Sequence, residues 1–249
     1  MQVICRLFLR FDFPWAQLVE LDISHFNADL TNIFDMLSRC VCLVKLSLSF
    51  FKASSLSQLV GNFPQSGSHH SVTLPYLKHL ELSEVLNHIF RPFVVPALTE
   101  LVMRCDFLPA DDIVTMIRRS KCYILELRHR PGNYLHTTTH DLLEAIPHIK
   151  EFICAPALIR DEDLRNIGRG FLLPQVEVLH CAVTSPIPYL EMIEAQMALA
   201  HRGAEEQGGK LTHAEVQVQE NFEEFDKVVE RLRQINAENG TFFTLTKVG

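Results

Sequence analysis

The chain has 249 residues, 47% of them hydrophobic and 21% charged, which is enough apolar material for a sizeable core and excludes a disordered or low-complexity scaffold. Its 23 Lys plus Arg against 30 Asp plus Glu leave a formal charge of −7, so the bulk charge does not attract a phosphate backbone and no nucleic-acid partner is expected. The imbalance is local: residues 1–133 carry 13 basic and 12 acidic side chains, residues 134–249 carry 10 and 18.

In chain order, the apolar N-terminus is interrupted by Arg6, Arg10 and Asp12, which spoils the uncharged core of a signal peptide. No run reaches the roughly 20 apolar residues of a membrane span, so no membrane partner is expected. Seven cysteines, an odd number set mostly in apolar surroundings, read as reduced thiols of a cytoplasmic or nuclear protein.

From residue 18 onward the spacing apolar-x-x-apolar-x-apolar recurs. It appears as Leu18-Leu21-Ile23, Leu43-Leu46-Leu48, Leu77-Leu80-Leu82, Leu98-Leu101-Met103, Cys122-Leu125-Leu127, Ile149-Phe152-Cys154 and Val176-Leu179-Cys181, with a weaker copy at Leu211-Ala214-Val216. The last positions of each copy alternate, so each copy predicts a short strand with one apolar face. Leu21, Leu46, Leu80, Leu101, Leu125, Phe152 and Leu179 are then expected as buried equivalents on successive parallel strands.

The intervening segments show helical period. Ile33, Phe34 and Leu37 share a face, as do Ile113, Met116 and Ile117, and then Leu142, Leu143 and Ile146. Asp111-Asp112 and Asp161-Glu-Asp163 precede such segments as caps or first-turn charges. Pro75, Pro96, Pro147 and Pro174 stand just ahead of a strand, where a fixed φ and a missing donor end a helix. A polar loop is expected at about 62–73, a second loop at about 200–212, and a helix and strand cap at about 220–248.

Units of one strand and one helix cannot bury both apolar faces alone, and stacking them makes a continuous core. The expected fold is therefore α/β, a single leucine-rich-repeat domain over 1–249. Its horseshoe solenoid would carry parallel strands on the concave face and helices on the convex face.

The spacing resembles leucine-rich repeats, and several segments taken in order resemble the repeat region of fungal, mushroom-type F-box-like proteins. The pieces that carry the likeness are Pro14-Trp15 leading into Leu18-Val-Glu-Leu-Asp-Ile23, Leu37-Ser-Arg-Cys40 before Leu43, Leu74-Pro75 before Leu77, Arg119-Ser-Lys-Cys122 before Leu125, and Leu173-Pro174 before Val176. The resemblance implies a protein-binding module, the substrate-recognition part of an F-box subunit of a cullin-RING ubiquitin ligase. The alternative is a structural or truncated, degenerate relative without a ligase connection. In such proteins a helical F-box precedes the repeats, whereas here only Met1 to Pro14 stand ahead of them. The ligase adaptor is thus expected as a partner only if an F-box exists upstream.

The candidate binding residues are the outward side chains between buried leucines: Asp22, Glu81, Arg104, Glu126, Arg128 and His180. Their mixed signs suit a protein or peptide partner on the concave face. No enzyme is expected, because no nucleophile elbow, phosphate loop or dinucleotide turn occurs. No cofactor or metal is expected either. His136 and His140 have the spacing of a paired ligand set but lack an internal Glu and an obvious third ligand.

Overall fold

A computed structural model describes residues 13–26, 30–50, 71–83, 89–105, 108–129, 139–201, 210–218 and 224–247. The chain divides into two compact units, Met1–Tyr123 and Ile124–Gly249.

In the first unit, β1 (Glu20–Phe26), β2 (Lys45–Phe50), β4 (His79–Ser83) and β6 (Glu100–Arg104) pair in that order, all parallel. Their register puts Leu21, Leu46, Leu80 and Leu101 side by side, as the spacing predicts. Leu46, Leu80 and Leu101 are fully buried, while Leu21, on the first strand in this order, is half-buried. The sole tryptophan, Trp15, sits in a single 3-10 turn ahead of β1, buried with the Phe13 ring 5.0 Å away.

The connections are unequal. A ten-residue helix, α1 (Leu30–Arg39), joins β1 to β2. After β2 and after β4 come the short strands β3 (Val72–Thr73) and β5 (Phe93–Val94), which pair with each other in a separate two-stranded sheet. This small sheet packs beside α1 and α2 (Ala110–Ser120), with Phe34 edge-on to Phe93 at 5.7 Å. Arg119 of α2 donates to the carbonyls of Phe90 and Phe93, and the Ser120 hydroxyl accepts from Val95 N at 3.0 Å.

In the second unit the parallel order is β7 (Glu126–His129), β8 (Glu151–Ile159), β9 (Val178–Val183), β10 (His213–Val218) and β11 (Phe242–Lys247). Between them run α3 (His140–Ala145), α4 (Asp161–Gly168), α5 (Pro186–His201) and α6 (Phe225–Asn239), of 6, 8, 16 and 15 residues. Tyr189 of α5 is wholly buried, and its hydroxyl donates toward the carbonyls of Ala214 and Thr244 at 3.3 and 3.4 Å. That ties the helix to β10 and β11. Helix α6 ends at Gly240, whose φ of +63° is the left-handed turn glycine adopts without steric cost. Asn236 then holds β11 by accepting from Phe243 N at 2.8 Å and donating to Phe243 O at 2.9 Å.

The leucine-rich-repeat horseshoe expected from the spacing is therefore corrected to parallel β-sheet flanked by helices of variable length. The physical reason lies in what the LxxLxL pattern encodes. It fixes which strand residues face the core, and it is silent about the return path. A regular solenoid needs repeats that return alike; among the described residues two returns include a short extended segment, β3 or β5, and others carry helices of 6 to 16 residues. The polar loop expected at 62–73 is described only from 71, and residues 72–73 are strand β3; of the loop at 200–212, residues 202–209 lie outside the described residues.

One strand also sits in a different register from the one expected. Leu127, not Leu125, aligns with Phe152, and His129 aligns with Cys154. The true copy in this strand is Ile124-Leu127-His129, whose last inward position is a buried histidine, 1% exposed. A search for apolar residues therefore slides back two places to Cys122-Leu125-Leu127. Because the strand period is two, the inward face is kept while the partners change.

Candidate functional site

Burial alternates along β4 and β10, whose buried inward residues stand between half-buried outward ones. The outward residues form rows across neighbouring strands.

In the first unit one row is Glu20, Lys45, His79, Glu100, and the next is Asp22, Ser47, Glu81, Val102. Arg104 stands in a third row beside Ser83. His79 Nδ1 lies 2.7 Å from Glu100 Oε2, and since a carboxylate cannot donate, that nitrogen carries the hydrogen. The other ring nitrogen faces Glu81 at 3.9 Å, and Glu81 Oε1 accepts from Arg104 Nε at 2.7 Å. Glu81 and Arg104 thus belong to one chain of polar contacts across two strands, β4 and β6. Asp22 is exposed on β1, and Val102 leaves an apolar member, 8% exposed, in the same row.

In the second unit the corrected register moves both predicted residues of β7 by one row. Arg128 aligns with Ile153, His180, Glu215 and Thr244, while Glu126 aligns with Glu151, Val178, His213 and Phe242. Glu126 and Glu151 are therefore direct cross-strand neighbours of like charge, a destabilising pair on its own. Arg128 resolves it, with Nη2 at 2.9 Å from Glu126 and 2.8 Å from Glu151. Such a bridge holds the arginine in place and leaves the local charge acidic by one.

Beyond this cluster lies a ring ladder that the sequence reading missed. His180, His213 and Phe242 stack at centroid distances of 5.0 and 4.8 Å, and Phe242 is 56% exposed. Only His180 was visible as a candidate, because the other two occupy a row that an LxxLxL search does not inspect. Their signal is positional: each lies one residue before an inward core residue, Ala214 or Phe243.

Desolvation lowers the His180 pKa from the ordinary 6.5, with His213 adding to the depression and Glu215 and Glu151 opposing it. Its Nε2 is enclosed and has no hydrogen-bond partner among the described residues, while Nδ1 is 3.7 Å from Glu215. A depressed folded-state pKa means that the unfolded chain takes up the proton first as pH falls. The contribution of neutral His180 to stability is then complete above about 6.5 and is lost as pH falls through the folded-state value. His180→Gln should accordingly flatten the acid side of the stability profile, measured as urea midpoints from neutral pH downward. Parallel profiles for variant and wild type would show that His180 titrates alike in both states.

A second polar cluster lies on the helical side of the second unit. Asp163, in the first turn of α4, is wholly buried, and accepts from Arg160 Nε at 2.9 Å and from His140 Nδ1 at 2.7 Å. The sequence reading takes Asp163 for a first-turn charge, yet its carboxylate ties α4 to the start of α3. His136 lies outside the described residues.

Cys40, Cys122 and Cys181 offer little nucleophilic reactivity. Burial pushes the Cys40 and Cys122 thiols up to about 11 and Cys181 up to about 12, so they remain protonated; Cys42 is exposed. Among the described residues no helix is long and apolar enough to cross a membrane.

No family model, no curated protein and no solved structure matches the chain. The ubiquitin-ligase substrate-recognition reading is corrected accordingly, since the repeat architecture it required is replaced by parallel sheet with unequal helices and no family match ties the chain to a ligase.

Proposed function

We propose that the outward sheet faces bind a protein or peptide partner, and that the chain acts by binding rather than by catalysis. The observation that supports this is one-sided burial on all-parallel strands. Parallel sheets are usually covered on both faces and then read as apolar throughout. Here most outward residues are half-buried to exposed, Val102 and Ala182 being buried, and the rows carry Glu81, Arg104, Glu126, Arg128 and His180. Cross-strand ion pairs hold several of these side chains in fixed positions, which lowers the ordering cost of recognition. Mixed charge and a ring ladder suit a surface of defined polarity better than a uniformly charged polymer. A cytoplasmic or nuclear location accompanies this reading, supported by the buried, protonated thiols of Cys40, Cys122 and Cys181.

The test compares two double charge reversals. Arg104→Glu with Arg128→Glu alters the outward rows, whereas Arg231→Glu with Arg233→Glu alters α6, where those arginines pair with Glu194 and Glu230. Against a partner recovered by proximity labelling, the first pair should weaken binding by about tenfold or more, equivalent to about 1.4 kcal/mol. The second should leave affinity near wild type. Circular dichroism checks folding. Unchanged affinity for the first pair in a folded protein rejects these faces as the binding surface, and a greater loss from the second moves the site to α6.

A further inference from the structure

We propose that His140, Asp141 and Glu144 on α3 form a site for a divalent transition cation of the zinc class, with Asp163 positioning the histidine. The argument begins at the buried end. Asp163 is wholly enclosed and fixed by Arg160 through Nε at 2.9 Å and Nη2 at 3.2 Å. Its Oδ1 lies 2.7 Å from His140 Nδ1, and a carboxylate pinned in this way can only accept, so Nδ1 carries the hydrogen. In the neutral imidazole this turns the Nε2 lone pair outward. A buried carboxylate behind the ring is the arrangement that fixes tautomer and orientation in metal-ligating histidines.

In front of Nε2 stands Glu144, one helical turn on, with Oε1 at 3.4 Å. With a neutral imidazole the two atoms repel at that distance unless a cation lies between them, and with a proton on Nε2 they form an ion pair. The spacing also has a specific meaning. Ligands held about 2.0–2.1 Å from a tetrahedral zinc stand about 3.3–3.4 Å from one another. Asp141 supplies the third oxygen: one ligand atom from each of the three residues lies within 4.8 Å of the others, and the Asp141 side chain is exposed, free to rotate inward. Solvent would complete the set.

His140 is half-buried and both acids are exposed, so the site opens to solvent and an ion can enter. One nitrogen with two carboxylate oxygens is a borderline donor set, which suits zinc better than calcium or magnesium. The arrangement differs from the paired-histidine pattern in the sequence: His140 is used, with Glu144 as its partner. A proton on Nε2 could satisfy the same two carboxylates, and the experiment separates the proton from the metal.

Zinc is titrated into the full chain by calorimetry, and cobalt(II) is followed by its visible absorption, which is strong for four-coordinate sites. Wild type should bind one zinc per chain at this site. His140→Ala and Glu144→Gln should abolish that event or weaken it at least tenfold, and His213→Ala should retain it. Asp163→Asn should weaken it by about 10–100-fold while leaving the ligands in place. Glu144 is exposed, so its variant remains folded and keeps the test decisive if the Asp163 variant is unstable. Absence of a stoichiometric event in wild type, or its full retention in His140→Ala, overturns the site and leaves the cluster as a proton-bridged set of ion pairs.

Discussion

Leu101→Ala is expected to destabilise the first unit by about 2–5 kcal/mol, because the side chain is fully buried on β6 in register with Leu80 and cannot be replaced by collapse of a strand held in a ladder. The loss combines the transfer term for the missing methyl groups with the cavity they leave. Urea unfolding followed by circular dichroism should show a lowered midpoint with little change in slope. A loss below about 1 kcal/mol would mean that Leu101 is not packed as the register requires.

Gly168→Leu should harm the second unit by a different route, overpacking. A Cβ at residue 168 would lie 3.1 Å from Met192 Cα and 3.3 Å from Ala195 Cβ, so α4 and α5 touch backbone to backbone at this point. Neither neighbour has a flexible end that can swing away. Alanine would force a shift of a few tenths of an ångström, partly offset by its better helix propensity of about 1 kcal/mol over glycine. Leucine would need the helices to part, at a cost of about 1–3 kcal/mol or more. The expected order of thermal midpoints is Gly above Ala above Leu. A leucine variant as stable as wild type would show that the helices are not held together there.

Strand positions were the most legible part of the chain, because an inward leucine with a polar neighbour is a local pattern and the fold obeys it at Leu46, Leu80, Leu101, Phe152 and Leu179. Where the pattern failed, a single polar residue was responsible. His129 occupies a core position that hydropathy assigns to the surface, and it displaced Glu126 and Arg128 by one row. The connections were less legible because nothing local in the sequence marks a short extended segment such as β3, which pairs with β5 from another connection. Neighbouring packing decides that, as when Phe34 meets Phe93. The buried Asp163 was hidden for a related reason: a first-turn acid looks the same in sequence whether it faces water or a histidine 23 residues earlier. Asp22, Glu81, Arg104, Glu126, Arg128 and His180 all lie in outward rows, yet the sequence alone did not show that Arg128 links two glutamates or that His180 starts a ring ladder.

The single tryptophan gives the molecule an asymmetric optical signature. Trp15 is 9% exposed and belongs wholly to the first unit, so its indole emission, excited beyond the tyrosine band, registers water entering that unit and nothing else. The second unit contributes α5 and α6, of 16 and 15 residues, and therefore weighs heavily in far-ultraviolet ellipticity. The emission therefore follows the first unit, while the ellipticity follows both units. Superimposable denaturation curves would mark one cooperative transition, and separated curves would give each half its own stability without cutting the polypeptide.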